Sequence, residues 1–368
     1  MRHFLTLLFL AFLSISCAKQ NPLEKAIASK NKKIKKVIDS VKNYEVQVLF
    51  TEILQENGKT TFKDYSYRVD ENTYFYPASS VKFPIAVLAL QKMNQNKKID
   101  KNTVFNNASD TTKTTFANEI KKVFAVSDNL AYSRLFDYLG QNYINNQLKS
   151  KGITARISHR FSVDNPYDIN TKSVYFYYKD SVIYTENPIQ NDSIKNLPLD
   201  KIKKGIGYMV GDSLVEKPMD FSLKNYIPLT SLHQLMKQLV FPELFPKEKR
   251  FDLTEEDRNF LINTMAILPK DAGYTSKEYY DSYVKFFLFG DSKEPMPSHI
   301  KIHNKVGFAY GYLTDCAFIE NTKTNKKYII TATIHVNKNK IYNDGFYEYD
   351  TVGFPFLAQL GRELVPLD

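Results

Sequence analysis

Ser79 and Lys82 stand three residues apart in Tyr76-Pro77-Ala78-Ser79-Ser80-Val81-Lys82-Phe83-Pro84, directly before an apolar run. A serine hydroxyl is a weak nucleophile until a base takes its proton. Residues three apart at a helix start share a face, so a desolvated, neutral lysine amine could be that base. The spacing alone is common in this chain, recurring at Ser16/Lys19, Ser29/Lys32, Ser282/Lys285 and Ser298/Lys301. Its setting before an apolar helix separates Ser79 from the others.

Two further motifs follow in order. Ser127-Asp128-Asn129 lies between apolar Phe124–Val126 and Leu130-Ala131. A buried loop there could present a hydroxyl to relay protons and an amide to hold a substrate carbonyl. An ordinary turn or helix N-cap reads equally from the same three residues. Lys305-Val306-Gly307 falls on a predicted strand, where a cation and a side-chain-free glycine would let a substrate lie close and pair its carboxylate. Lys203-Lys204-Gly205 matches that loose pattern too.

The elements that must position these residues can be read from hydrophobic period. Leu23, Ile27, Ile34, Val37, Ile38 and Val41 recur at helical spacing through a lysine-rich segment. Strand character over 45–53, the Asn57-Gly58 turn signal and 59–69 predict a hairpin. Helices are predicted over 80–95, 118–139, 231–240, 254–266 and 350–364, with Thr254 and Asp257 close to a capping box. A tyrosine-rich hairpin is expected over 173–185 around Lys179-Asp180, and strands over 301–309, 317–319 and 328–336. Strands at both ends with helices between them make an α+β chain with one sheet built from distant segments.

Composition and the N-terminus set the class. Of 368 residues 43% are apolar and 14% aromatic, which excludes disorder. Lys plus Arg exceeds Asp plus Glu by 50 to 40, a balance suited to anionic surfaces. Arg2 and His3 precede ten largely apolar residues, 4–13, too few to span a bilayer core. They read as a secretory signal. Leu13-Ser14-Ile15-Ser16-Cys17 resembles a bacterial lipobox, which implies cleavage before Cys17 and its lipidation. Export disfavours a nucleic-acid partner. Cys316 would be the remaining thiol, read as a buried structural cysteine. His299 and His303 have a metal-ligand spacing but no supporting acid, so no metal site is expected.

Taken together, Ser79-x-x-Lys82, Ser127-Asp128-Asn129 and Lys305-Val306-Gly307 resemble the signature of the serine β-lactamase and penicillin-binding family, class A branch. The resemblance runs from about residue 22 to 368. It implies a β-lactamase/transpeptidase-like fold, an antiparallel sheet flanked by helices plus a mostly helical lobe. It also implies that Ser79 is acylated, with Lys82 handling its proton. Ser127 would pass a proton to the leaving nitrogen, supported by Lys305, and Asn129 would bind a substrate amide. Gly307 and Phe308 would line the substrate path, the Phe308 and Ser79 N–H groups forming an oxyanion hole. The expected ligand is a β-lactam or peptidoglycan-derived small molecule, with no cofactor.

The pattern departs from the family at two points. Val306 lacks the hydroxyl usual between the lysine and glycine. In the segment resembling the family's omega loop, 160–170, Asn165 takes the place of the deacylating glutamate, with Asp164 and Asp168 as possible substitutes. A neutral amide is no general base near pH 7. Three functions therefore stay open: a β-lactamase-like hydrolase, a D,D-peptidase or penicillin-binding protein that releases its acyl group slowly, and a lipid-anchored wall-binding protein without catalysis. The expected organisation is a signal over 1–16, a tether over 17–22 and a monomeric catalytic unit over 23–368. Its sheet lobe would comprise 23–83 and 291–368, and its helical lobe 84–290 with an insertion over 171–226. The anchor would hold it on a bacterial membrane, on the periplasmic or cell-surface side.

Overall fold

The computed structural model describes residues 21–108 and 110–367, so the signal over 1–16 and Cys17 lie outside the described residues. Asn21, expected in the tether, instead caps the first helix: its side chain accepts from the N–H groups of Leu23 and Glu24, with Pro22 at the first helical position. The lysine-rich segment is two short helices, α1 (Pro22–Ile27) and α2 (Lys32–Ile38), because Asn31 caps a second start between them.

A five-stranded antiparallel sheet joins both ends of the chain. Its order is β11 (Ile300–Ala309), β12 (Tyr312–Asn321), β13 (Lys326–His335), β1 (Gln47–Glu56) and β2 (Lys59–Tyr67). The Asn57-Gly58 hairpin forms, both residues taking positive φ. One sheet face packs with α1, α2 and α9 (Phe354–Leu364) in an apolar cluster that includes Val306, Ala317 and Ile330. The helix expected from 350 is a π-turn over Tyr349–Gly353 running into α9. The other face carries Cys316, Phe318 and Ile329 into the core of the helical part.

That core is organised by α3 (Lys82–Asn94), reached through a 3-10 turn, Ala78–Val81, rather than as one helix from residue 80. Every α3 residue from Lys82 to Met93 except Lys92 is buried, as a helix apolar all round must be. Around it lie α4 (Phe116–Ala125), α5 (Asn129–Leu139), α6 (Gln141–Ser150), α7 (Leu229–Val240) and α8 (Glu255–Met265). The helix expected over 118–139 is broken between α4 and α5, where Ser127 adopts φ +58°.

The 84–290 span also contains strands. A sheet in the order β4 (Thr114–Thr115), β3 (Val104–Asn107), β5 (Val174–Tyr178), β6 (Ser181–Glu186) incorporates the tyrosine-rich hairpin, which is thus tied into the body by β3. Further along, β7 (Lys203–Lys204) pairs β10 (Met219–Asp220). Beside them, β8 (Gly207–Val210) pairs β9 (Ser213–Val215) and, in parallel, β14 (Ile341–Tyr342). An aromatic cluster of Tyr74, Tyr76, Phe221, Tyr312 and Tyr342 seats this segment against the chain leading into the Ala78–Val81 turn. Among the described residues no helix is long and apolar enough to cross a membrane.

Candidate active site

The three motifs converge where the Ala78–Val81 turn, the α4–α5 break and edge strand β11 meet. Ser79 is half-buried at the turn, and Lys82 opens α3 fully buried. The Lys82 ammonium donates to the Ser127 carbonyl (2.5 Å) and to Asn129 Oδ1 (2.6 Å), with Ser127 Oγ at 3.5 Å. From the opposite side Lys305 Nζ donates to Ser127 Oγ at 2.8 Å and to its neighbour's Val306 carbonyl at 2.8 Å. One hydroxyl thus sits between two buried amines. The positive φ at Ser127 turns that hydroxyl inward, a conformation costly for serine and concentrated at functional sites. Asp128 accepts from Ala131 N–H at 2.7 Å and caps α5, so the turn-and-cap role and the site role coexist in this triplet.

Burial sets the electrostatics. It pulls the Lys82 ammonium down to about 7, against an upward pull from Asp128. Lys305 is pushed well below the ordinary lysine value by burial and then by Lys82, with Asp315 opposing. Both amines therefore reach the neutral form far more readily than a surface lysine. Among the described residues Ser79 Oγ makes no hydrogen bond, so Lys82 must swing from its present acceptors to take the serine proton. Such contacts commonly tighten only when substrate is bound.

Gly307 explains how β11 approaches the nucleophile. A Cβ there would lie 2.2 Å from the Pro77 carbonyl oxygen and 3.0 Å from Ser79 N, so only glycine fits without moving backbone. Phe308 follows, about half-exposed, its ring edge-on to Tyr349 and Phe286. Val306 is buried in the apolar cluster beneath α9 and offers no donor. Behind the strand, Lys285 donates to Asn304 Oδ1 (2.7 Å), whose Nδ2 donates to the buried Asp315 carboxyl (2.8 Å). Lys285 serves that network, so its Ser282-x-x-Lys match pairs nothing with Ser282, whose hydroxyl donates to the Ser292 carbonyl.

The 160–170 loop is pinned by Arg160, which holds the Asp137 carboxylate (2.5 Å) and the carbonyls of Asp168 and Asn170. Asp164 and Asn165 are exposed and border a cavity of about 470 Å³ shared with Asp110, Arg134 and Asp137. Asp168 accepts from Asn170 N–H and Lys172 Nζ, which hold its carboxyl down at about 2, in a local turn. Two loop residues reach the amine cluster: the Phe161 ring centre lies 5.4 Å from Lys82 Nζ, and Ser162 Oγ accepts from Asn129 Nδ2 at 2.8 Å. Ser162 is absent from the sequence-based set. It stays exposed, with a left-handed backbone at φ +54° beside that contact, and a residue type carries no mark of such a conformation. His299 and His303 bond the Leu367 carbonyl and the Ile262 carbonyl plus Glu320, and no metal-holding group of side chains occurs among the described residues.

Comparison with known proteins bears on the fold. Residues 29–180, which hold Ser79, Lys82, Ser127 and Asn129, match the model of the beta-lactamase enzyme family. The chain superposes on a β-lactamase from Sphaerobacter thermophilus at 13% identity and TM-score 0.50, covering 94% of this chain and 98% of that one. The fold is β-lactamase/transpeptidase-like. A mutant of PBP-A, solved as its acyl-enzyme complex with penicillin G, aligns at 14% identity and TM-score 0.52, covering 93% and 94% of the two chains. A β-lactamase from Xanthomonas campestris aligns at 14% identity and TM-score 0.50 over 86% and 90%. No curated protein matches in sequence. The α+β fold of this chain is therefore the one its three motifs imply.

Proposed function

We propose that this protein is a class A β-lactamase-like serine hydrolase that takes β-lactams or related cell-wall amides onto Ser79. The observation that carries the reading is Ser127 Oγ held between Lys305 Nζ and Lys82 Nζ at the mouth of the Ser79 turn. In the forward step neutral Lys82 accepts the Ser79 proton as Oγ attacks the carbonyl carbon. Negative charge builds on the carbonyl oxygen, beside the Ser79 and Phe308 N–H groups. Ser127 then hands its proton to the departing nitrogen and is resupplied from the amines at either side. Water later cleaves the ester, returning the hydroxyl to Ser79.

A second reading, a D,D-peptidase or penicillin-binding protein with slow release, is favoured by Ser162. The loop side chains that meet the amine cluster are the Phe161 ring and the Ser162 hydroxyl, neither of them a base, and the carboxylates of Asp164 and Asp168 are exposed or tied into a turn. Intact mass after adding benzylpenicillin separates these outcomes. The adduct forms on wild type and is abolished by Ser79→Ala. A long-lived adduct selects the peptidase reading and rapid return to free mass selects the β-lactamase. Protein that neither gains mass nor consumes the drug would leave only the wall-binding alternative. Export with lipidation at Cys17 belongs to the same proposal. Metabolic labelling with palmitate, lost in Cys17→Ala, tests it.

A further inference from the structure

We infer that Lys224 forms a carboxylate-binding subsite for the acyl arm of the substrate, so that the preferred acyl donors carry an acidic group near the scissile amide. The inference deepens the proposed Ser79 chemistry and rests on it. Lys224 lies between β10 and α7, in the 171–226 segment that the family pattern leaves without a role. Its ammonium stands 5.5 Å from the Tyr167 ring centre and 5.8 Å from that of Tyr310. Tyr167 belongs to the loop whose Ser162 reaches Asn129. Tyr310 directly follows β11, and Tyr76, three residues before Ser79, packs edge-on against it at 5.0 Å. Two segments therefore close around one ammonium group, and the chain leading into Ser79 braces one of them through Tyr76.

That cation has no acidic partner. Among the described residues no carboxylate lies within ion-pair distance of Lys224. The neighbouring Arg156 guanidinium is directed at the backbone carbonyls of Lys195, Ser222 and Lys224. Burial works against the ammonium, but Tyr310 and Tyr167 outweigh it and hold Lys224 above the ordinary lysine value, so a ligand carboxylate would meet a standing cation. The local field is visible at His159, stacked on Tyr167 at 4.9 Å. Burial, then Lys224 and Arg156, hold its imidazole neutral down to about 3.

The path to the subsite follows from the sheet. β11 is an edge strand, and an acyl donor lying along it as an added strand would run past Ala309 toward Tyr310. At roughly 3.3 Å per residue, Phe308 to Tyr310 is about 7 Å. A carboxylate within a residue or two of the reacting carbonyl thus comes within reach of a lysine side chain.

Benzylpenicillin and carbenicillin share a nucleus and differ by a carboxylate on the acyl side chain. Lys224→Met should lower the acylation rate constant for carbenicillin about tenfold or more, as expected for losing a charged hydrogen bond. The benzylpenicillin value should stay within about twofold. Lys224→Arg should restore carbenicillin, and about 0.5 M salt should narrow the difference in wild type. Equal losses for both drugs, or no loss for either, would overturn the inference. Titration of Ser79→Ala with phenylmalonate and phenylacetate reads the subsite without acylation. Tighter phenylmalonate binding that Lys224→Met removes supports the subsite even if wild type proves inert to penicillins. Equal binding of the two acids counts against it.

Discussion

Lys82 owes its chemistry to burial, and Asp128 limits how far burial can act. The neutral amine is the form that accepts the Ser79 proton, so acylation should fall as pH drops through about 7, where burial places Lys82. The Asp128 carboxylate favours the ammonium and holds that midpoint up. Asp128→Asn removes the charge while keeping an N-cap for α5, so folding stability should change little. The acid limb of the benzylpenicillin acylation profile should then move to lower pH. A limb that stayed in place or moved upward would show that Lys82 is not the titrating base. Much of this site was legible from residue types, because a nucleophile, an amine, a relay hydroxyl and a cation recur in fixed order. Ser162 and Lys224 were not legible. One depends on a left-handed backbone at its own position, and the other on segments meeting at Tyr167 and Tyr310 across more than fifty residues of chain.

Among the elements, the proposed Ser79 chemistry makes the 160–170 loop the place where the lifetime of an acyl group would be set. Arg160 ties the two ends of the loop together through Asp137 and two carbonyls, and Ser162 meets Asn129 between those ends. A carboxylate at that position would stand beside the ester and could activate water, a contribution of typically 10²–10⁴-fold. Ser162→Glu should shorten the lifetime of the benzylpenicillin adduct at least about tenfold, while Ser162→Gln, of equal size and no basicity, should not. Time-resolved intact mass reads both. Equal lifetimes in the two variants would place the deacylating group elsewhere. β11 and β13 were read close to their ends, whereas β12, expected only over 317–319, spans Tyr312–Asn321; all three are buried nearly throughout, so no two-residue alternation marks their extent. The helix expected over 118–139 failed for a related reason. Apolar residues continue on either side of Ser127, from Phe124 to Leu130, so periodicity alone gives no hint of the break that creates the site.

At the scale of the whole molecule, buried histidines tie stability to pH. His233 on α7 bonds Thr51 on β1 at 2.7 Å and Thr331 on β13 at 2.9 Å, fastening the helical part to the sheet. Burial, then Lys237, pushes its imidazole down to about 3. His159 is held at about 3 chiefly by burial, and His335 at about 4 by burial against an opposing pull from Glu45. An unfolded histidine titrates near 6.5, so between about pH 4 and 6.5 the unfolded chain binds the extra protons and stability rises with pH. Asp315 acts in the opposite sense. Its carboxyl is raised to about 6 by burial, so it contributes one proton against the histidines' three. Acidification through this window should therefore lower the urea midpoint. His233→Asn keeps a donor and an acceptor but removes one titrating imidazole. It should cut the pH slope of the unfolding free energy by up to about 1.4 kcal/mol per pH unit. Urea melts of wild type and variant at pH 4.5, 5.5 and 7 measure the two slopes. Parallel slopes would mean that His233 is already protonated in the folded protein, and that the link between α7 and the sheet carries a charge.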